Sequence, residues 1–149
     1  MRKSLCILIA CLLCFANVSL ASDAFKGSVI DATTLDNDPT EVTSDGVDIS
    51  QYDKTTFYLT YDETEVGASL SAAVTVEVSY DDTTYVTANF YDVAGALTLQ
   101  TTETISADAT FIFWLDRRAN YKYARVKVVG TGTDADDNIE ITVVHSSQK

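Results

Sequence analysis

The stretch Ala72-Ala73-Val74-Thr75-Val76-Glu77-Val78-Ser79-Tyr80 decides the fold. Val74, Val76, Val78 and Tyr80 fall on one side of an extended chain and Thr75, Glu77 and Ser79 on the other, the period of two expected of a strand with one buried face. Asp81-Asp82 then supplies a turn. Towards the N-terminus, residues 55–61 set Phe57, Leu59 and Tyr61 against Thr56, Tyr58 and Thr60. Before them, residues 28–35 stop at Asp36-Asn37-Asp38-Pro39, and residues 41–44 stop at Asp45-Gly46. Towards the C-terminus, residues 84–91 and 96–105 each read as one strand. Residues 110–115, almost continuously apolar through Phe111, Phe113 and Trp114, suit a central strand. Residues 121–129 set Tyr123, Arg125 and Lys127 against Ala124, Val126 and Val128. Residues 139–145 set Ile139, Ile141 and Val143 against Glu140, Thr142 and Val144. No stretch reads as an amphipathic helix.

About eight strands at this spacing pack most economically as two antiparallel sheets around a shared core, an all-β sandwich of jelly-roll or immunoglobulin-like kind. A closed barrel is the alternative. Residues 1–21 read as a secretory signal: Arg2 and Lys3, an apolar run over residues 5–16, and Ser19-Leu20-Ala21 as the cleavage site. The expected mature chain is one domain, residues 22–149, exported to the cell surface or beyond. The apolar run is shorter than the ~20 residues of a membrane span. Cys6, Cys11 and Cys14 all leave with the signal, which removes disulfides and thiolate chemistry from the mature domain. Leu8-Ile9-Ala10-Cys11 also fits a lipobox, but its apolar approach is short and a further apolar run follows it. The sequon at Asn17 lies inside the segment to be removed.

The whole chain carries 22 Asp and Glu against 10 Lys and Arg, a net charge of −12, and loss of Arg2 and Lys3 takes it to −14. Such a chain repels nucleic acid and anionic membrane surfaces, whose binding needs Lys and Arg. It attracts cations.

Asp45-Gly46-Val47-Asp48-Ile49-Ser50-Gln51-Tyr52, Val76-Glu77-Val78-Ser79-Tyr80-Asp81-Asp82 and Tyr121-Lys122-Tyr123-Ala124-Arg125-Val126-Lys127-Val128 together resemble β-sandwich modules of phage virion proteins. The last stretch is also similar to discoidin-type binding domains. The resemblance extends over most of residues 45–144. It implies a sandwich used for structure or surface attachment, and it brings no catalytic residue with it.

Gly132-Thr133-Asp134-Ala135-Asp136-Asp137-Asn138 is the candidate metal loop. Calcium takes six to eight oxygen ligands, and Asp134, Asp136, Asp137 and Asn138 on one turn offer several. The same composition is also that of a solvated hairpin tip. Trp114, Arg117, Arg118, Tyr121, Tyr123 and Arg125 form the one basic-aromatic concentration, fit to stack on a polysaccharide or to dock an acidic partner such as a neighbouring copy. Glu77 and Glu140 would make a glycosidase pair only if one concave sheet brought them together. His145, the sole histidine, lies near the C-terminal end and reads as a surface residue. Phe25, Val29 and Ile30, in the strand behind the cleavage site, are the candidate assembly residues: that strand closes its own sheet or adds to the edge of the next subunit. The function expected is a non-catalytic structural subunit, self-assembling into a filament, tube or coat with calcium as a possible aid. A carbohydrate-binding module is the alternative.

Overall fold

The computed structural model describes residues 25–64, 69–93, 98–115, 121–134 and 136–148. The leader 1–21 with Cys11 and Asn17, and likewise Arg117 and Arg118, lie outside the described residues. Twelve strands are found among them: β1 (Phe25–Leu35), β2 (Thr40–Thr43), β3 (Val47–Asp48), β4 (Lys54–Glu63), β5 (Ser71–Ser79), β6 (Val86–Thr87), β7 (Phe90–Asp92), β8 (Leu99–Gln100), β9 (Glu103–Ile105), β10 (Ala109–Leu115), β11 (Tyr123–Thr131) and β12 (Ile139–Gln148).

In β5, Ala72, Val74, Val76 and Val78 are fully buried, while the residues between them are half-buried. The strand lies against β11 in an antiparallel register that puts Val76 beside Val126 and Glu77 beside Arg125. β11 alternates in the same way, burying Ala124, Val126 and Val128. With β2 and β3 on the far side of β11, and β6 and β9 on the far side of β5, these strands form sheet B. Sheet A runs in the order β1, β12, β4, β10, β7, β8. Its inner face carries Phe57, Leu59 and Tyr61 from β4, Phe90 from β7, Phe113 from β10, and Ile139, Ile141 and Val143 from β12, all buried in one core with the valines of sheet B. The apolar strand β10 is central, as its composition predicts, between β4 and β7. The architecture is therefore the expected antiparallel sandwich.

The structure departs from the sequence reading in four places. Residues 84–91 and 96–105 are not single strands. Each divides: β6 and β9 pair with β5 in sheet B, while β7 and β8 pair with each other, and β7 with β10, in sheet A. The chain thus passes from one sheet to the other twice within twenty residues, and these two divisions, with the two-residue β3, take the nine segments quoted from the sequence to twelve strands.

Tyr80 continues the parity of the buried valines, yet it is 57% exposed. It lies one residue beyond the end of β5, where sheet pairing has stopped and the core no longer covers it. His145 is a buried residue, not a surface one. β12 runs on to Gln148, paired with β4 throughout, so His145 and Ser147 extend the inward row begun by Ile139.

β1 closes its own sheet, pairing with β12 from Phe25↔Ser147 to Leu35↔Ile139, with register shifts on either side of Ile30. Of the candidate assembly residues, Ile30 is buried in the chain's own core, Val29 packs partly against it, and Phe25 begins the strand. Irregular pairing of this kind twists an edge away from strand addition.

After β11 the backbone turns at Gly132, whose φ is +79° and whose missing Cβ would sit 2.6 Å from the Ser69 carbonyl oxygen. Both facts require glycine there.

Candidate functional site

The outer face of sheet A carries a band of apolar side chains that follows from the strand registers. Leu99 pairs with Tyr91, Tyr91 with Trp114, and Trp114 with Thr56, which is buried. In the neighbouring row, Ile112 pairs with Tyr58 and Tyr58 with Val144. Tyr58 and Leu99 are 37% and 39% exposed. Neither row contains a carboxylate. The Lys54 ammonium lies 3.7 Å from the centre of the Trp114 ring, held by the ring's electron-rich face. Glu140 and Asp62, which pair with each other, are two rows beyond Val144 and Tyr58 on the same face. A net charge of −12 thus coexists with a carboxylate-free aromatic and aliphatic band in which Tyr58 and Leu99 are exposed, Tyr91, Ile112, Trp114 and Val144 are half-buried, and the Lys54 ammonium adds one positive charge.

The basic-aromatic concentration expected from the sequence does not form one patch. Trp114 faces outward from sheet A, while Tyr123 and Arg125 face outward from sheet B, on the opposite side of the sandwich. Tyr121 packs against the core and against the Tyr80 ring. Arg125 is already engaged: its Nε donates to Glu77 Oε2 at 2.7 Å, and its guanidinium stacks 3.8 Å from the Tyr85 ring centre. Tyr85 in turn donates to Asp82, and burial together with that bond pushes its phenol above the ordinary tyrosine range. Glu77 in sheet B and Glu140 in sheet A project from opposite faces, which removes the facing pair a glycosidase needs.

In the acidic loop, Asp134 Oδ1 accepts the backbone N–H groups of Asp136 and Asp137, each at 2.8 Å, and these bonds hold its carboxyl below the usual carboxylate range. The Asp134 N–H donates to the Asp137 carbonyl at 2.7 Å, and the Asn138 N–H to Thr64 Oγ1 at 3.1 Å. The loop is closed by its own groups and anchored to Thr64. Among the described residues, no three His, Cys, Asp or Glu side chains are gathered as a metal site requires.

A cavity of about 420 Å³ opens where β1 and β12 meet β3, lined by Gly27, Val29, Asp45, Gly46, Val47, Asp48, Tyr52 and His145. Five of these belong to the stretch 45–52, quoted above for its resemblance and, at Asp45-Gly46, as a turn. Its polarity follows from the end of the inner row, where His145 Nδ1 lies 3.1 Å from the Gly27 carbonyl and Thr55 and Ser147 share a buried hydrogen bond. At the rim, Asp48 Oδ1 accepts the Ser50 N–H at 2.9 Å, which lowers the Asp48 pKa.

Burial lowers the His145 pKa from 6.5, more than the Gly27 contact raises it, so the folded chain holds this residue neutral. The unfolded chain takes up the proton first. Stability from this group is therefore complete above 6.5 and declines as the pH falls through 6.5 towards the lower folded value. The melting temperature is expected to fall as the pH drops below 6.5, and to fall less in His145→Gln. Equal slopes for the two proteins would assign the acid sensitivity to other groups.

No family model matches this sequence, and no curated protein matches it. Among solved structures, the SPBc2 prophage-derived protein YomS is similar with a TM-score of 0.57 and 11% identity, over 87% of this chain and 98% of that one. The likeness is one of fold. PirA matches with a TM-score of 0.36 and 9% identity, over 89% and 100% of the two chains. No helix among the described residues is long and apolar enough to cross a membrane.

Proposed function

We propose that this chain is an exported, non-catalytic structural subunit of phage-related type that assembles copy against copy through the outer face of sheet A. The observation that carries the reading is the carboxylate-free band of Tyr58, Tyr91, Leu99, Ile112, Trp114 and Val144 on a chain of net charge −12. Strongly acidic copies repel each other wherever their carboxylates meet. A carboxylate-free face with partly exposed apolar side chains lets them come into contact, and apolar surface grouped on one face marks sites of association. The fold shared with a prophage-derived protein, over 98% of that protein's length, supports the phage-related part. The irregular edge of β1 favours face packing over strand exchange.

Tyr58→Glu tests the proposal. Tyr58 is partly exposed on the outer face, so a carboxylate there is compatible with the fold, but it brings like charges together when two bands meet. In sedimentation velocity and negative-stain microscopy the parent protein is expected to be larger than a monomer. The variant is expected to be monomeric with an unchanged circular dichroism spectrum. A parent that stays monomeric over the whole accessible concentration range would sink the reading.

A further inference from the structure

A second cleft, of about 250 Å³, lies at the end of sheet B where β5 and β11 part, lined by Val78, Ser79, Tyr80, Asp81, Thr84, Val86 and Tyr121. The Lys122 N–H donates to the Ser79 carbonyl at 3.0 Å, which brings the residues flanking the two strands together. The Tyr80 and Tyr121 rings are 4.9 Å apart at their centres and tilted by 44°. Tyr121 has its other side on the core, while Tyr80 is 57% exposed and Val86 49% exposed.

The polar side of the cleft is rigid. Asp81 Oδ1 accepts from Ser79 Oγ at 2.9 Å, from the Thr83 N–H at 2.9 Å and from the Thr84 N–H at 2.8 Å. Asp82 follows at φ +59°, a left-handed conformation that Asp and Asn adopt more readily than other side-chain-bearing residues. The turn is thus fixed beside an aromatic floor before anything binds, which keeps the ordering cost of binding low.

We propose that this cleft binds a neutral saccharide, one pyranose ring lying on Tyr80 with its hydroxyl rim against Asp81 and Thr84. A sugar ring presents a face of C–H groups and an edge of hydroxyls. The cleft presents a supported aromatic face and, at its side, a carboxylate and a threonine hydroxyl that accept and donate hydrogen bonds. The charge selects among sugars: an ionised Asp81 on a chain of net charge −12 repels uronic and sulfated glycans. The site is on sheet B and is independent of the assembly face.

Affinity electrophoresis tests it, with the native chain and the Tyr58→Glu chain run through gels containing a β-glucan, a xylan, a galactomannan or, as the acidic counterpart, polygalacturonate. Retardation in at least one neutral gel is expected for both chains, with none in polygalacturonate. Tyr80→Ala should weaken binding about tenfold or more, since it removes the stacking surface, while Tyr80→Phe should keep it. Because Tyr80 is largely exposed, both variants should retain the parent circular dichroism spectrum. Migration unaffected by every neutral polysaccharide, equal retardation of Tyr80→Ala and parent, or strongest retardation in polygalacturonate would each overturn the proposal. Retention of binding in Tyr58→Glu separates this outcome from that of the assembly experiment.

Discussion

Val76→Asp is expected to leave no folded protein in the soluble fraction, while Thr75→Asp, one residue away, folds like the parent. Val76 is fully buried on the inner face of β5 beside Val126. A carboxylate there either ionises without a partner or takes a proton at the expense of stability. Either way the cost is several kcal/mol, set against a total stability of roughly 5 to 15 kcal/mol for a domain of this size. Thr75 faces outward, and its cross-strand partner is Lys127, so a new carboxylate gains an opposite charge across the ladder. Circular dichroism and the soluble yield of the two variants decide the matter. If both tolerate the change, Val76 does not lie in a closed core and the faces of β5 are misassigned.

Phe113→Ala is expected to be the most damaging truncation that still permits folding, at about 3 to 5 kcal/mol. Its ring is fully buried, meets Phe90 edge to face at 5.1 Å, and runs parallel to Phe111 at 6.5 Å. β10 joins β4 to β7, so the void left behind is bounded by paired backbone on both sides and cannot collapse readily. Phe111→Ala, at a half-buried position on the same strand, should cost less. Urea midpoints give both values, and a larger loss at Phe111 would contradict the packing described.

Much of this fold is legible in the sequence because β4, β5, β11 and β12 each alternate in a pattern that burial then follows. What was not legible depends on which strand meets which. Val86, Ala88 and Phe90 keep one parity without interruption, and nothing local indicates that Val86 pairs with Val78 in sheet B while Phe90 pairs with Leu115 in sheet A. Position along the chain misled at His145. Its nearness to the C-terminus implied exposure, whereas the row Ile139, Ile141, Val143 already pointed it inward. Arg125 looked available because its partner, Glu77, is 48 residues away and becomes a neighbour only through the β5 and β11 register. The apolar band of sheet A was hidden for the same reason. Tyr58, Tyr91, Ile112, Trp114 and Val144 come from four strands, and only the pairing of those strands makes them one surface.

The double passage of the chain between sheets has a mechanical side. At one margin of the sandwich, β6 leads into β7 and β8 into β9, each pair crossing from one sheet to the other; at the opposite margin, β1 of sheet A leads into β2 of sheet B, and the two touch. The layers are thus sewn together along both long sides. Two sheets joined by chain at one margin are held at the other by side-chain packing alone, whereas these are tied at both. Were copies held together by one outer face, load on sheet A would reach sheet B through covalent chain at both margins as well as through the packed core.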